Sequence, residues 1–149
     1  MSTSPGPRPL ADLPAVGARR RSRERALGLL YEAEAKEQRP AAILAALPVA
    51  PERYAVVLVE GVDRRLPEID ALIGAHAHDW GIDRLAAVDR QLLRLSVLEL
   101  LECEDVPLAV VIDEAVELAK QYSTEESSRF VNGVLSAVAA EVRPSKAAS

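Results

Sequence analysis

The stretch from Ser123 to Leu135 brings an aromatic, a cationic and an amide side chain close together in the sequence. Arg129, Phe130 and Asn132 lie off the apolar stripe that the neighbouring valines and leucines form at helical spacing. Phe130 is the only phenylalanine of the chain. A ring beside a guanidinium and an amide can stack on an unpaired base and hydrogen-bond to it. A peripheral core position is an equally good interpretation of Phe130.

This stretch also carries the signals of a helix start. Ser123 followed by Glu126 has the spacing of a capping box, in which a hydroxyl and a carboxylate satisfy free N–H groups. An acidic residue in a first turn also suits the positive end of the helix dipole. We therefore predict a last helix that is capped by Ser123 and carries the three polar and aromatic groups in its first half.

A second group with binding chemistry lies near the N-terminus. Between residues 19 and 25, five arginines and one glutamate give a net charge of +4, whereas the whole chain carries −5. Positive charge in the first turns of a helix opposes the helix dipole, which suggests that it serves a ligand. We call residues 19–25 the basic arm. A basic arm on an otherwise acidic protein favours a localised contact with nucleic acid, and the alternative is that these arginines simply face water at a helix start. Its arginines are Arg19, Arg20, Arg21, Arg23 and Arg25.

Several kinds of catalytic and metal site are missing from the sequence. There is no glycine-rich phosphate loop, no Cys/His metal pattern and no nucleophile elbow. His76 and His78 are two residues apart and point to different helix faces, which is poor geometry for joint metal ligation. Asp113 and Glu117 have helical spacing, but a solvated acidic face is the better interpretation than a carboxylate pair. We predict that the protein is not an enzyme and uses no metal or cofactor.

The composition favours one all-α domain. The chain has 149 residues, of which 49% are hydrophobic and only 3% aromatic. Such a composition suits a helical bundle and disfavours an RNA-recognition sheet, which needs several aromatics on one face. The single cysteine, Cys103, excludes an internal disulfide and is expected to be buried. Without a long apolar run or a signal peptide, the protein is predicted to be cytoplasmic, with no membrane partner.

Proline and apolar spacing divide the chain into helices. Residues 1–18 read as a disordered proline-rich leader, and a first helix is predicted from Arg19 with Tyr31 on its inward face. Pro51 and Pro67 are predicted to open two separate helices, and Trp80 to close the core after the second of them.

Two further helices follow. The helix over residues 88–103 is apolar nearly all round and is therefore expected at the centre of the bundle. Asp89 lies in its first turn, where an acid is favourable. A helix after Pro107 is predicted to turn Asp113, Glu114, Glu117 and Lys120 to water.

Several motifs occur together in one order along residues 18–142. They are Val-Asp-Arg-Gln-Leu-Leu-Arg-Leu at 88–95, Val-Pro at 106–107, Glu-Ala-Val-Glu-Leu-Ala-Lys at 114–120 and Arg-Phe-Val-Asn-Gly-Val-Leu at 129–135. With the basic arm before them, this combination resembles the NusB family of bacterial transcription antitermination proteins.

The resemblance implies a compact all-α bundle of about seven helices in two small subdomains. The RNA-binding domain would span residues 19–142, and residues 143–149 would form a flexible tail. The resemblance also implies an adaptor that binds boxA RNA together with NusE, a small-subunit ribosomal protein. The pair would join NusA, NusG and RNA polymerase in antitermination complexes, notably on ribosomal RNA operons. The family includes both monomers and homodimers.

Residue roles follow from the matching motifs. Tyr31 and Asp89 match positions on the NusE-facing side of the family. The residues that match RNA-binding positions are Arg19, Arg20, Arg21, Arg23, Glu126, Arg129, Phe130 and Asn132.

Three alternatives stay open at this point. One is a purely protein-binding adaptor, in which the basic arm docks an acidic partner. The second is an accessory domain for an enzyme, because NusB-like domains also occur fused to ribosomal RNA methyltransferase domains. The third is a role in ribosome assembly or elsewhere without antitermination.

Overall fold

The computed structural model describes residues 16–78 and 81–144. Within them the chain forms six α-helices and a short 3-10 turn, and no strand. The prediction of an all-α bundle is confirmed, with six helices in place of about seven. The elements are α1 (Val16–Ala35), α2 (Pro40–Ala45), α3 (Arg53–His76), the 3-10 turn (Ile82–Arg84), α4 (Ala87–Glu102), α5 (Leu108–Tyr122) and α6 (Glu125–Val142).

Helix α3 joins two segments that were predicted as separate helices. Pro67 lies inside it, and Arg65 leaves the helical conformation with φ −111° and ψ 21°. Proline has no N–H to donate and crowds the preceding turn, so it bends the helix here. The two predicted helices are therefore both present, and they meet end to end at this kink.

Helix α4 lies at the centre of the bundle, as its apolar circumference predicted, and contacts α1, α3, α5 and α6. Its leucines Leu92, Leu95 and Leu98 are fully buried. Gly61 of α3 packs against Leu98 so closely that a Cβ added at Gly61 would lie 2.8 Å from that side chain. The close approach of α3 to α4 therefore requires glycine at this position.

The helices fall into two groups that share one core. Helices α1, α2 and α3 pack on one another, and α4, α5 and α6 do the same. Helices α1 and α3 also pack on α4, and buried side chains from both groups belong to one hydrophobic cluster. Cys103 lies in this cluster, as predicted, and burial raises the pKa of its thiol to about 11.

The predicted boundaries of the domain need correction at both ends. Helix α1 begins at Val16, so the last three residues assigned to the leader are helical. Arg143, assigned to the flexible tail, is only 5% exposed. Residues 1–15 and 145–149 lie outside the described residues, and so does Trp80.

Arg143 is buried because it caps the end of another helix. Its guanidinium donates to the carbonyl oxygens of Glu99, Leu100, Cys103 and Val106 at 2.8–3.0 Å. The last carbonyls of a helix have no partner within the helix, and a cation near them also suits the dipole. Arg143 thus ties the end of α6 to the end of α4 and to the turn that follows it.

None of the described helices is long and apolar enough to cross a lipid bilayer.

Candidate nucleic-acid interface

The arginines of the basic arm point in different directions from α1. Arg21 and Arg25 are exposed and four residues apart, so they share one face of the helix. Arg20 is about half exposed and donates two hydrogen bonds to Glu114, at 2.9 and 2.7 Å. The guanidinium carbon of Arg19 lies 6.0 Å from the centre of the Tyr54 ring. Arg25 was missing from the predicted RNA-binding set, although its spacing from Arg21 was visible in the sequence.

Arg23 is buried in the core, so its prediction as an RNA-binding residue was wrong. It is 2% exposed, and its Nε donates to both oxygens of Glu99 at 3.0 Å. The Tyr54 hydroxyl donates to the same carboxylate. Arg23 lies three and seven residues before the buried Ala26 and Leu30, which places it on the apolar face of α1. This spacing could have revealed its orientation from the sequence.

Glu114 is also buried, contrary to the prediction that it faces water. It accepts the two hydrogen bonds from Arg20 and lies 3.8 Å from Arg23. The hydrogen bond from Arg20 holds the pKa of the Glu114 carboxyl below its usual value, and burial opposes this effect. The pair Arg20–Glu114 fixes the basic arm against α5.

Helix α6 begins one residue later than its sequence pattern indicated. Thr124 is the N-cap, and its hydroxyl oxygen accepts a hydrogen bond from the Ser127 N–H at 2.9 Å. Ser123 ends α5 instead, with φ −136° and ψ −128°, and its hydroxyl donates to the Ser127 hydroxyl. The capping box from Ser123 to Glu126 is therefore wrong, although a helix does start here.

A cavity of 240 Å³ opens between the starts of α4 and α6. Phe130 is half-buried on its wall, while Glu126 is exposed at its edge. Arg129 and Asn132 are exposed on α6 but do not line the cavity. The lining residues are Arg84, Leu85, Ala86, Asp89, Thr124, Glu126, Ser127 and Phe130.

Asp89 is the most deeply buried charged group of this cavity, at 7% exposure. Its Oδ2 accepts a hydrogen bond from the Ser127 hydroxyl at 2.8 Å. Its Oδ1 is buried and has no hydrogen-bond partner within residues 16–78 and 81–144. The structure thus brings Asp89, assigned to the NusE side, together with Phe130 and Glu126, which were assigned to RNA.

One wall of the cavity is held in place by Arg90. Its guanidinium donates to the carbonyl oxygens of Ile82 and Leu85, at 3.0 and 2.7 Å, and makes two hydrogen bonds to Glu34. The Arg90 hydrogen bond lowers the pKa of the Glu34 carboxyl, with burial acting in the opposite sense. The loop that carries Arg84 is thereby fastened to α1 and α4.

Sequence reasoning missed Arg84 and Ser127 as parts of this cavity. Neither residue stands out by type or spacing. The cavity forms where a loop and two helix ends that are far apart in the chain come together, so the sequence gives no local signal for it.

Tyr31 lines a second, more apolar groove of 280 Å³. It is 47% exposed, so the prediction that it faces the core was wrong. Tyr122 lines the opposite wall, and its hydroxyl donates to Glu24 at 2.8 Å, which links α5 to α1. Val88 lines this groove while Asp89 lines the first cavity, so the two concave sites are neighbours.

Metal ligation finds no support in this region of the structure. Within the described residues, no three His, Cys, Asp or Glu side chains are grouped closely enough to hold an ion.

Comparison with known proteins gives a consistent answer. A sequence profile of the NusB family matches residues 20–140. The transcription antitermination protein NusB of Salinispora tropica is 46% identical over 129 residues, which cover 82% of this chain and 95% of that protein. The corresponding protein of Salinispora arenicola is 45% identical over 129 residues, which again cover 82% of this chain and 95% of that protein.

Solved structures agree in the fold. A crystal form of T. maritima NusB has a TM-score of 0.77 and 36% identity, covering 87% of this chain and 95% of that chain. A crystal structure of the antitermination factors NusB and NusE in complex with dsRNA gives a TM-score of 0.72 and 31% identity, covering 85% of this chain and 99% of that chain.

Proposed function

Because this chain belongs to the NusB family, we propose that it is a transcription antitermination protein that binds boxA RNA together with NusE. The observation that carries the proposal is the similarity over most of the chain to NusB proteins, one of them crystallised with NusE and RNA. In this role the protein is a non-enzymatic, cytoplasmic adaptor. It joins RNA polymerase, NusA and NusG in antitermination complexes, notably on ribosomal RNA operons.

The RNA contact draws on the exposed part of the basic arm and on the start of α6. Arg21 and Arg25 are free of hydrogen-bonding partners within the described residues and are suited to phosphate contacts, with Arg19 and Arg20 beside them. Phe130 offers a ring at the cavity wall on which a base can stack. Arg129, Asn132 and Glu126 surround it with groups that can contact the backbone or base edges.

The NusE contact is assigned to the groove at Tyr31. This groove presents two half-exposed tyrosines, Tyr31 and Tyr122, over an apolar floor that includes Leu27 and Val88. Tyrosines at the edge of an apolar concavity are typical of protein interfaces. A homodimer that uses the same surface would compete with NusE and would mask the adjoining RNA-binding groups.

The function is tested by binding of a fluorescent boxA-type RNA to the full chain, with and without NusE. We expect binding that is tighter when NusE is present, because the two proteins then form one larger surface. If the RNA binds in neither condition while NusE still binds, the protein is a protein-binding adaptor and the RNA proposal is wrong.

Replacing Phe130 with alanine is expected to weaken boxA RNA binding by about 5- to 150-fold, because one base loses its stacking partner. The matched control is Lys36→Ala, since Lys36 is exposed near the end of α1 and pairs only with Glu32 within the described residues. Phe130→Leu keeps most of the packing against the core and separates stacking from stability. Equal affinities for Phe130→Ala and Lys36→Ala would show that no base stacks on this ring.

A further inference from the structure

We propose that the segment Pro-Gly-Pro-Arg-Pro at residues 5–9, the proline segment, binds back into the groove at Tyr31 and covers it until a partner protein displaces it. The contact is intramolecular, so the segment is a built-in competitor for the surface that the proposed function assigns to NusE. Only the identity of the displaced partner rests on the proposed function. The proline segment itself lies outside the described residues.

The groove runs along α1 and is open over its whole length. Its α1 wall consists of Glu24, Leu27, Gly28 and Tyr31, which are spaced i, i+3, i+4 and i+7 and therefore form one stripe along the helix. Gly28 is exposed, and a Cβ added there would meet no atom within 4 Å. An extended segment laid along α1 thus finds free space between an acidic end at Glu24 and an aromatic end at Tyr31.

The aromatic end suits proline. Tyr31 and Tyr122 are about half exposed although they line an apolar groove. Aromatic-lined grooves bind polyproline II segments, because such segments are extended before they bind and lose little conformational entropy. Residues 5–9 carry proline at every second position, which favours this conformation.

The acidic end suits the arginine of the segment. Glu24 accepts a hydrogen bond from the Tyr122 hydroxyl and forms no ion pair with any described residue. Arg20, one turn earlier on α1, is engaged by Glu114. Arg8 is the only lysine or arginine among residues 1–15. The proline segment therefore brings one positive charge to a groove that has one carboxylate at its end.

The spacing of the two ends matches the spacing within the segment. Polyproline II has three residues per turn, so Pro5 and Arg8 lie on one edge, about 9 Å apart at 3.1 Å per residue. Glu24 and Tyr31 are roughly 10 Å apart along α1 at 1.5 Å per residue. Arg8 can therefore face the Glu24 carboxylate while Pro5 packs on the Tyr31 ring.

The chain between Arg8 and Val16 is long enough for this placement. Glu24 lies about 12 Å along α1 from Val16 at 1.5 Å per residue. Residues 8–12 cover about 12 Å in the polyproline II conformation. Residues 12–15 then remain for reversing the chain direction, and four residues are the length of a β-turn. The proline segment thus reaches the groove antiparallel to α1.

Tethering makes a weak contact sufficient. A segment on a short tether is present at an effective concentration in the millimolar range, so even low intrinsic affinity keeps the groove covered. Coverage for half to nine-tenths of the time raises the apparent Kd of a competing partner by about 2- to 10-fold.

Disulfide trapping in the full chain tests the contact without any partner. Gly6→Cys is combined with Gly28→Cys, because the spacing puts both residues at the same height along α1. The matched control replaces Gly28→Cys by Gly74→Cys, since Gly74 is also an exposed helical glycine with open space but lies on α3, which does not line the groove. The native Cys103 is buried, and the raised pKa of its thiol, about 11, keeps it from competing. We expect the Gly6/Gly28 pair to close about 10-fold faster than the control pair, within single molecules.

NusE affinity tests the competition. Arg8→Glu should tighten NusE binding by about 2- to 10-fold, whereas Arg8→Lys, which keeps the charge, should bind NusE as the parent protein does. Arg8→Glu should also slow closure of the Gly6/Gly28 cysteine pair. The double variant Arg8→Glu/Glu24→Lys should restore fast closure, because it reverses both charges of the pair.

Three results would overturn the inference while NusE binding keeps the proposed function intact. They are equal closure of the two cysteine pairs, crosslinks that form only between molecules, and unchanged NusE affinity in Arg8→Glu. The second of them would assign the groove to another copy of this chain. Fast, charge-dependent closure in a protein that binds neither NusE nor boxA RNA would instead support the contact and overturn the proposed function.

Discussion

Replacing Arg23 with alanine is expected to lower the free energy of unfolding by about 3 to 5 kcal/mol, a large part of the stability of a domain this size. The variant leaves Glu99, which is 0% exposed, without its ionic partner. Tyr54 alone then hydrogen-bonds to that carboxylate among the groups described here. Removing one member of a buried ion pair is costly because the other charge stays buried without compensation.

The measurement is urea unfolding followed by circular dichroism. Arg21→Ala is the matched control, since Arg21 belongs to the same arm but is exposed, and we expect it to change stability little. The double variant Arg23→Met/Glu99→Leu should recover much of the loss, because it removes both charges and fills their volume. If Arg23→Ala were as stable as Arg21→Ala, the buried ion pair would not support the fold.

Replacing Arg143 with alanine is also expected to lower the free energy of unfolding, by about 3 to 5 kcal/mol. Four backbone carbonyls accept from this guanidinium, and hydrogen bonds to charged groups contribute about 1.5 to 3 kcal/mol each before relaxation. The loss is smaller than the sum of the bonds, because water can enter and satisfy some carbonyls once the side chain is gone.

The control is Arg129→Ala, an exposed arginine on the same helix. The stability of Arg143→Lys should lie between those of Arg143→Ala and Arg129→Ala. A lysine ammonium keeps the charge but lacks the planar guanidinium that donates to four acceptors. Hydrogen exchange of the amides near the end of α4 gives an independent readout. Unchanged stability of Arg143→Ala would mean that the residue belongs to a mobile tail after all.

Composition and periodicity predicted the all-α class and most of the helices, whereas their arrangement in a bundle of two subdomains was implied by the family resemblance. The central position of α4 followed from its apolar circumference, and Pro67 marked the kink that divides α3. A proline marks a disturbance in a helix, but tertiary packing on both sides decides whether the helix ends or bends.

The candidate site was only partly predictable. Residue types near Phe130 indicated binding chemistry. The spacing of Arg23 from Ala26 and Leu30 was enough to show that Arg23 points towards the core. The contact of Asp89 with Ser127 joins residues 38 positions apart, so no local pattern could reveal it. The same holds for Arg84, whose place on the cavity rim depends on Arg90 and Glu34.

The position of Arg143 also has a consequence for synthesis of the protein on the ribosome. Its four acceptor carbonyls lie 37 to 44 residues earlier in the chain. At about 5 to 20 residues per second, the ribosome needs roughly 2 to 9 s to reach Arg143 after making them. During that interval these carbonyls lack the guanidinium of Arg143, and the faces of α4 that α5 and α6 cover stay open. Translation speed over α5 and α6 therefore sets how long the incomplete core is exposed to chaperones and to aggregation.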